Sequence, residues 1–96
     1  MSRVILGVDP GLTRCGVAVI NSGSARKVSL VHVDTLKSSP STELSERLAF
    51  IADGVEALIV EHKPSVIAIE RVFSQANLKS VMGVAQISGV VMYLAK

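Results

Sequence analysis

Residues 5–20 read ILGVDPGLTRCGVAVI: an apolar run, an acid, Pro-Gly, and a second apolar run. Widened to RVILGVD at 3–9, the first run is short, rich in β-branched residues and closed by Pro10-Gly11, which predicts a buried strand. CGVAVINS at 15–22 predicts a second strand, and the short link suits an antiparallel hairpin. Strand side chains alternate, so Asp9 shares a face with Ile5 and Gly7. The hairpin therefore sets a carboxylate at the tip of a hydrophobic strand, where loss of water costs a charge most.

The flanking sequence extends this unit. SGSAR is a turn. KVSLVHVDTL at 27–36 sets Val28, Leu30 and, less cleanly, His32 against Ser29, Val31 and Val33. That alternation predicts a third strand near a sheet edge. After the loop KSSPS, apolar residues recur every three or four positions (Leu44, Leu48, Ile51, Val55, Leu58, Ile59), the stripe of an amphipathic helix. Glu43 and Glu46 fall in its first turn, where the helix dipole favours acids. Pro64 ends it shortly after His62. SVIAIE at 65–70 predicts a fourth strand, apolar on both faces as in a central parallel strand. A second helix over 77–94 is apolar nearly all round, with small residues at Gly83, Ser88 and Gly89, and so needs cover on more than one side. The order is βββαβα, an α/β mixed sheet without internal repeats or low-complexity tracts. The helical crossover makes the first and fourth strands parallel neighbours.

Composition fits one small domain: 96 residues, 49% hydrophobic and 19% charged. A mean hydropathy of +0.50 is high for so short a chain. It predicts a dense core or apolar surface meant for a partner. Net charge is +2, from ten Lys and Arg against eight Asp and Glu, without a basic block. That balance is compatible with nucleic acid but does not point to it. Cys15 is the single cysteine, which excludes an intrachain disulfide and suits a reducing compartment. Asp9 interrupts the N-terminal apolar run too early for a signal peptide. VMGVAQISGVVMYLA at 81–95 is shorter than the roughly 20 residues a span needs and contains Gln86 and Ser88. A soluble, cytoplasmic chain is expected.

Glu70 closes the fourth strand on a face with Val66 and Ala68. Parallel neighbours lie about 4.8 Å apart, so Asp9 and Glu70 converge at the carboxyl end of the sheet, where open α/β sheets place their sites. Two acids so close repel. A hard divalent cation such as Mg²⁺ relieves that repulsion by taking carboxylate oxygens. Two such ions roughly 4 Å apart activate water and stabilise a leaving oxygen in phosphodiester cleavage. Gly7 and Ala68 leave room for another element over that face. The blander alternatives are a turn aspartate before Pro-Gly and a surface pair of Glu70 with Arg71 or Lys79.

The run ILGVDPGLTRCGVAVI, then AIERVF, then LKSVMGVAQISGVV, resembles the N-terminal part of RuvC-type Holliday-junction resolvases, members of the RNase H-like superfamily. GVDPG alone suits many such folds; IERVF with Asn77 and the glycine-bearing helix is more specific. The resemblance runs through essentially the whole chain. It implies that Asp9 and Glu70 are two of four catalytic, metal-binding acids for Mg²⁺, with Mn²⁺ as a substitute. The other two belong to a C-terminal helix which, with a fifth strand, follows the part seen here. A chain ending before them is expected to have little nuclease activity. The implied activity is resolution of four-way DNA junctions in recombination and repair, leaving 5′-phosphates. The implied partners are junction DNA, a second copy of the chain, and a branch-migration helicase complex.

The resemblance places the aromatic matching Phe73 at the junction crossover, where stacking on bases is worth about 1–3 kcal/mol per base; a core residue under the next helix is the alternative. Arg14, Arg71 and Lys79 are candidate phosphate contacts, or plain solvated charges. Gly83, Ala85, Gln86 and Gly89 are the candidate dimer contacts, the Ala85–Gly89 step allowing close helix approach. A two-fold substrate needs two symmetric sites. His32 and His62 have no second ligand at useful spacing. Cys15 reads as a small buried hydrophobe. Two competing functions remain at this level. One is a non-catalytic module that dimerises or binds DNA. The other is a phosphate loop, since DPGLT also resembles the Asp-x-Gly-x-Thr segment of actin-like ATPases and sugar kinases.

Overall fold

The hairpin expected at 5–20 forms, and the strand after the helical crossover pairs beside its first arm. The computed structural model describes residues 3–23, 27–70 and 78–96. Its elements are β1 (Arg3–Asp9), β2 (Arg14–Ser22), β3 (Val28–Lys37), α1 (Leu44–His62), β4 (Val66–Ile69) and α2 (Leu78–Ala95). The sheet order is β3-β2-β1-β4. β1 is antiparallel to β2 and parallel to β4, and β2 is antiparallel to β3. Gly11 makes the β1–β2 turn possible: a Cβ there would lie 2.1 Å from the Arg14 carbonyl oxygen, a distance no side chain tolerates.

Both helices cover one face of the sheet. Leu6 and Val8 of β1 and Cys15, Val17 and Val19 of β2 meet Ile51, Val55 and Leu58 of α1 and Ile87 and Val91 of α2. Alternation fixes this set, every second strand residue against a helical stripe. Gly54 brings α1 down onto β3, since a Cβ there would lie 2.8 Å from Leu36 Cδ1. Lys63 ends α1 in the left-handed conformation (φ 47°), its N–H donating to Ile59 O at 2.9 Å. Pro64 follows at once.

The other face is open among the described residues. Ile5, Gly7, Ala18, Ile20, Val66 and Ala68 line it by alternation and register. Val28, Leu30 and Val33 extend it onto β3 and stand 63–65% exposed.

Three expectations change in detail. The β3 alternation breaks at a bulge, because Ile20 pairs with Leu30 but Val19 with His32. The extra residue, Val31, turns His32 to the helix side and leaves Val28 and Leu30 on the open face. Leu44, at the head of the α1 stripe, is 45% exposed, since the helix begins beyond the sheet's cover. β4 is an edge strand among the described residues rather than a central one. Its Ile67 and Ile69 pack on the core, while Ala68 is exposed.

Candidate functional site

Register decides where the two acids meet. Gly7 pairs with Ala68 and Val8 with Ile69, so Asp9 and Glu70 take the next step of the parallel ladder. The Glu70 N–H donates to Val8 O at 2.9 Å, which carries the ladder one residue past β4. On the other side Asp9 faces Gly16 across the hairpin. A Cβ on Gly16 would lie 3.4 Å from Asp9 Cβ. Gly7, Gly16, Ala18 and Ala68 are small, and the two acids sit at one end of an open trough of about 520 Å³ on this bare face. Both acids are exposed, contrary to the desolvation expected of a strand tip. That face carries no covering element among the described residues.

The donor set suits a hard cation. Two carboxylates project from adjacent strand ends, and among the described residues neither Lys nor Arg lines the trough. Among the described residues neither acid forms a salt bridge. They supply only part of a coordination sphere: among the described residues no group of three or more His, Cys, Asp or Glu side chains is gathered for a metal. Asp34 also borders the trough, but its Oδ1 accepts the Thr35 N–H at 2.7 Å.

The turn after Asp9 is tied to the helices. Ser38 Oγ donates to Leu12 O, and Ser38 N–H donates to Thr13 O at 3.0 Å. From α1, Arg47 Nε donates to Ser38 Oγ and Arg47 Nη2 to Thr13 Oγ1, each at 3.0 Å. From α2, Gly83 packs on Leu12, where a Cβ would come within 3.1 Å of Leu12 Cβ. Arg14 is exposed just beyond this turn.

The remaining candidates separate. Gly83 is buried inside the protomer, whereas Ala85 and Gly89 are exposed and Gln86 is half-buried. Met82, Met92 and Tyr93 are also exposed, at 54%, 60% and 75%, on the same side of α2 as Ala85 and Gly89. Lys79 falls in the first turn of α2. Arg71 and Phe73 lie outside the described residues. Cys15 is fully buried, as expected.

Two features escaped sequence reasoning. Arg47 joins three separate segments, and nothing in its local pattern marks it. His32 and His62 come together with ring centroids 6.1 Å apart. The β3 bulge and the end of α1 create that contact, and neither is visible in residue spacing.

A β3-β2-β1-β4 sheet with helices on one face and acids at the tips of β1 and β4 defines an RNase H-like fold. The family model described as Crossover junction endodeoxyribonuclease RuvC matches residues 5–96, and the chain belongs to the RuvC family. It is 57% identical over 86 residues to the RuvC of Clavibacter michiganensis subsp. michiganensis, covering 90% of this chain and 43% of that one. It is 52% identical over 87 residues to the RuvC of Mycobacterium avium, covering 91% and 46%. The solved structure of T. thermophilus RuvC in complex with Holliday junction substrate superposes with a TM-score of 0.89 at 29% identity, over 97% of this chain and 56% of that one. The chain thus spans under half the length of these two curated relatives.

Proposed function

We propose that this chain carries one half of the catalytic centre of a metal-dependent endonuclease that resolves four-way DNA junctions in recombination and repair. The parallel register of β1 and β4 supports this most directly, because it aims Asp9 and Glu70 from adjacent strand ends onto one face. These two residues hold Mg²⁺, or Mn²⁺ in its place. The cation supplies charge stabilisation and a lowered water pKa for phosphodiester hydrolysis. Asp9 and Glu70 orient it, and the small residues behind them keep the trough open to the DNA backbone. The resemblance assigns two further acids to the same centre. Arg14, Arg71 and Lys79 hold phosphates, and Phe73 stacks at the crossover.

Homodimerisation runs through the exposed side of α2. Ala85 and Gly89 allow close approach, and Met82, Met92 and Tyr93 supply apolar area around them. Gly83 contributes from within, by seating α2 on the Asp9 turn. No described helix is long and apolar enough to cross a membrane, and a cytoplasmic enzyme fits that. A branch-migration helicase complex is the further partner the resemblance implies. The exposed α2 stripe by itself also favours a second function, a dimerising module that binds junctions without cutting them.

A titration of the full chain with Mn²⁺, followed by its paramagnetic resonance signal, tests the centre. The wild type is expected to bind one or two ions weakly, and Asp9→Asn or Glu70→Gln to lose at least about tenfold in affinity. Equal Mn²⁺ binding by wild type and both variants would remove these acids from any metal role and leave the non-catalytic module.

A further inference from the structure

A second cleft, of about 550 Å³, lies on the helix side of the same turn. Thr13 and Arg14 form one wall, Arg47 reaches in from α1, and Gly83 and Gln86 close it from α2. Arg47 arrives with its guanidinium already fixed, because Nε and Nη2 are bonded to Ser38 and Thr13. Among the described residues those bonds use two of its five N–H donors, and the other three are left for a ligand. No acid among the described residues lines the cleft. Among the described residues neither Arg14 nor Arg47 pairs with a carboxylate. The Arg47 guanidinium, without a counter-charge at the cleft, attracts an anion, and Arg14 at the cleft's margin adds positive charge. A planar fork held in place matches phosphate oxygens better than a mobile ammonium does. The volume is that of a small-ligand site rather than of a lone anion, so it admits the sugar joined to the phosphate.

We propose that this cleft binds a phosphodiester of the nucleic-acid backbone, with Arg47 as its fixed contact and Arg14 as its outer one. Asp9 stands before the turn and the cleft behind it, so one rigid segment sets both against the same strand of substrate. The cleft follows from its own geometry; that its anion belongs to nucleic acid rests on the nuclease proposal.

The test measures binding of labelled duplex DNA to the full chain across a salt series, with Arg14→Gln and Arg47→Gln. Each substitution is expected to weaken binding about tenfold and to make the slope of log affinity against log salt shallower by about 0.9. Because Arg47→Gln also releases the turn, a second measurement uses the wild type. A thymidine dinucleotide should shift the Arg47 Nε–H resonance saturably, and more tightly than inorganic phosphate does. Unchanged affinity and slope in a folded Arg14→Gln, or no saturable shift, would overturn the cleft. A shift by inorganic phosphate as tight as that by the dinucleotide would overturn the backbone assignment. Asp9→Asn should leave all of this binding intact. Lost metal binding with a working cleft, or the reverse, therefore tells failure of one proposal from failure of the other.

Discussion

Cys15 is where single-residue chemistry reports on the site most directly. It is the second residue of β2, faces the core, and lies close enough to the Asp9 turn to feel it. Burial pushes its thiol above the ordinary value near 9.0; a hydrogen bond with the Gly11 backbone partly offsets this, and the Asp9 charge adds to the rise. The unfolded thiol therefore ionises at lower pH than the folded one. Stability tied to Cys15 is fully present below about pH 9, the unfolded value, and is lost as pH climbs through the folded pKa. Denaturant midpoints measured from pH 7 to 10 should fall above pH 9 in the wild type and fall less in Cys15→Ala. That variant also gives up about 1 kcal/mol of packing at every pH. Parallel pH profiles for the two proteins would mean that the thiol is not shielded from water. Asp9 itself was legible in the sequence, because an acid at a strand tip before Pro-Gly breaks the apolar pattern. Its exposure was not, because exposure depends on what lies over the sheet and not on the strand.

Among the elements, α2 shows most clearly how two glycines in one helix can serve opposite ends. Gly83 is enclosed by the Asp9 turn, whereas an added Cβ at Gly89 would meet nothing within 4 Å. In an isolated protomer Gly89→Ala removes a helix penalty and should stabilise by about 0.8–1 kcal/mol. If the exposed side of α2 joins two copies, a bulkier residue there costs association instead. Gly89→Leu should therefore raise the thermal midpoint of the monomer while weakening the dimer in sedimentation equilibrium. A dimer as tight as wild type in Gly89→Leu would move the interface off this side of α2. The sequence named Gly83, Ala85, Gln86 and Gly89 together, because a helix apolar nearly all round gives no bearing for its contacts. Only packing on Leu12 separates Gly83 from the rest. The β3 bulge was hidden for a related reason. Alternation is read within one strand, and the extra residue exists only in the pairing of two.

For the molecule as a whole, one face of the sheet is covered by both helices and the other is open among the described residues. The covered side was largely readable: strand order, the parallel crossover and the core stripe all follow from period-2 and period-3.6 patterns that agree with each other. Arg47 and the His32–His62 contact were not, since each depends on segments brought together only by the complete fold. On the open side Val28, Leu30 and Val33 stand about two-thirds exposed beside half-buried Ile5 and Ile20. Small Gly7, Ala18 and Ala68 form the middle of the same face. Such a continuous apolar surface, flanked among the described residues by the unpaired edges of β3 and β4, favours contact with any similar surface. The 96-residue chain should therefore assemble beyond a dimer, with a weight that grows with concentration. Leu30→Lys and Val33→Lys add charge to that face without touching the core on the opposite side. Together they should return the chain to the dimer proposed through α2, at a cost below about 0.5 kcal/mol in stability because both positions are exposed. Sedimentation velocity over a tenfold concentration range reads the result. A wild-type chain that stays monomeric or dimeric throughout would show that the open face is less adhesive than its composition implies. Higher assemblies that survive both lysines would place the contact on the strand edges.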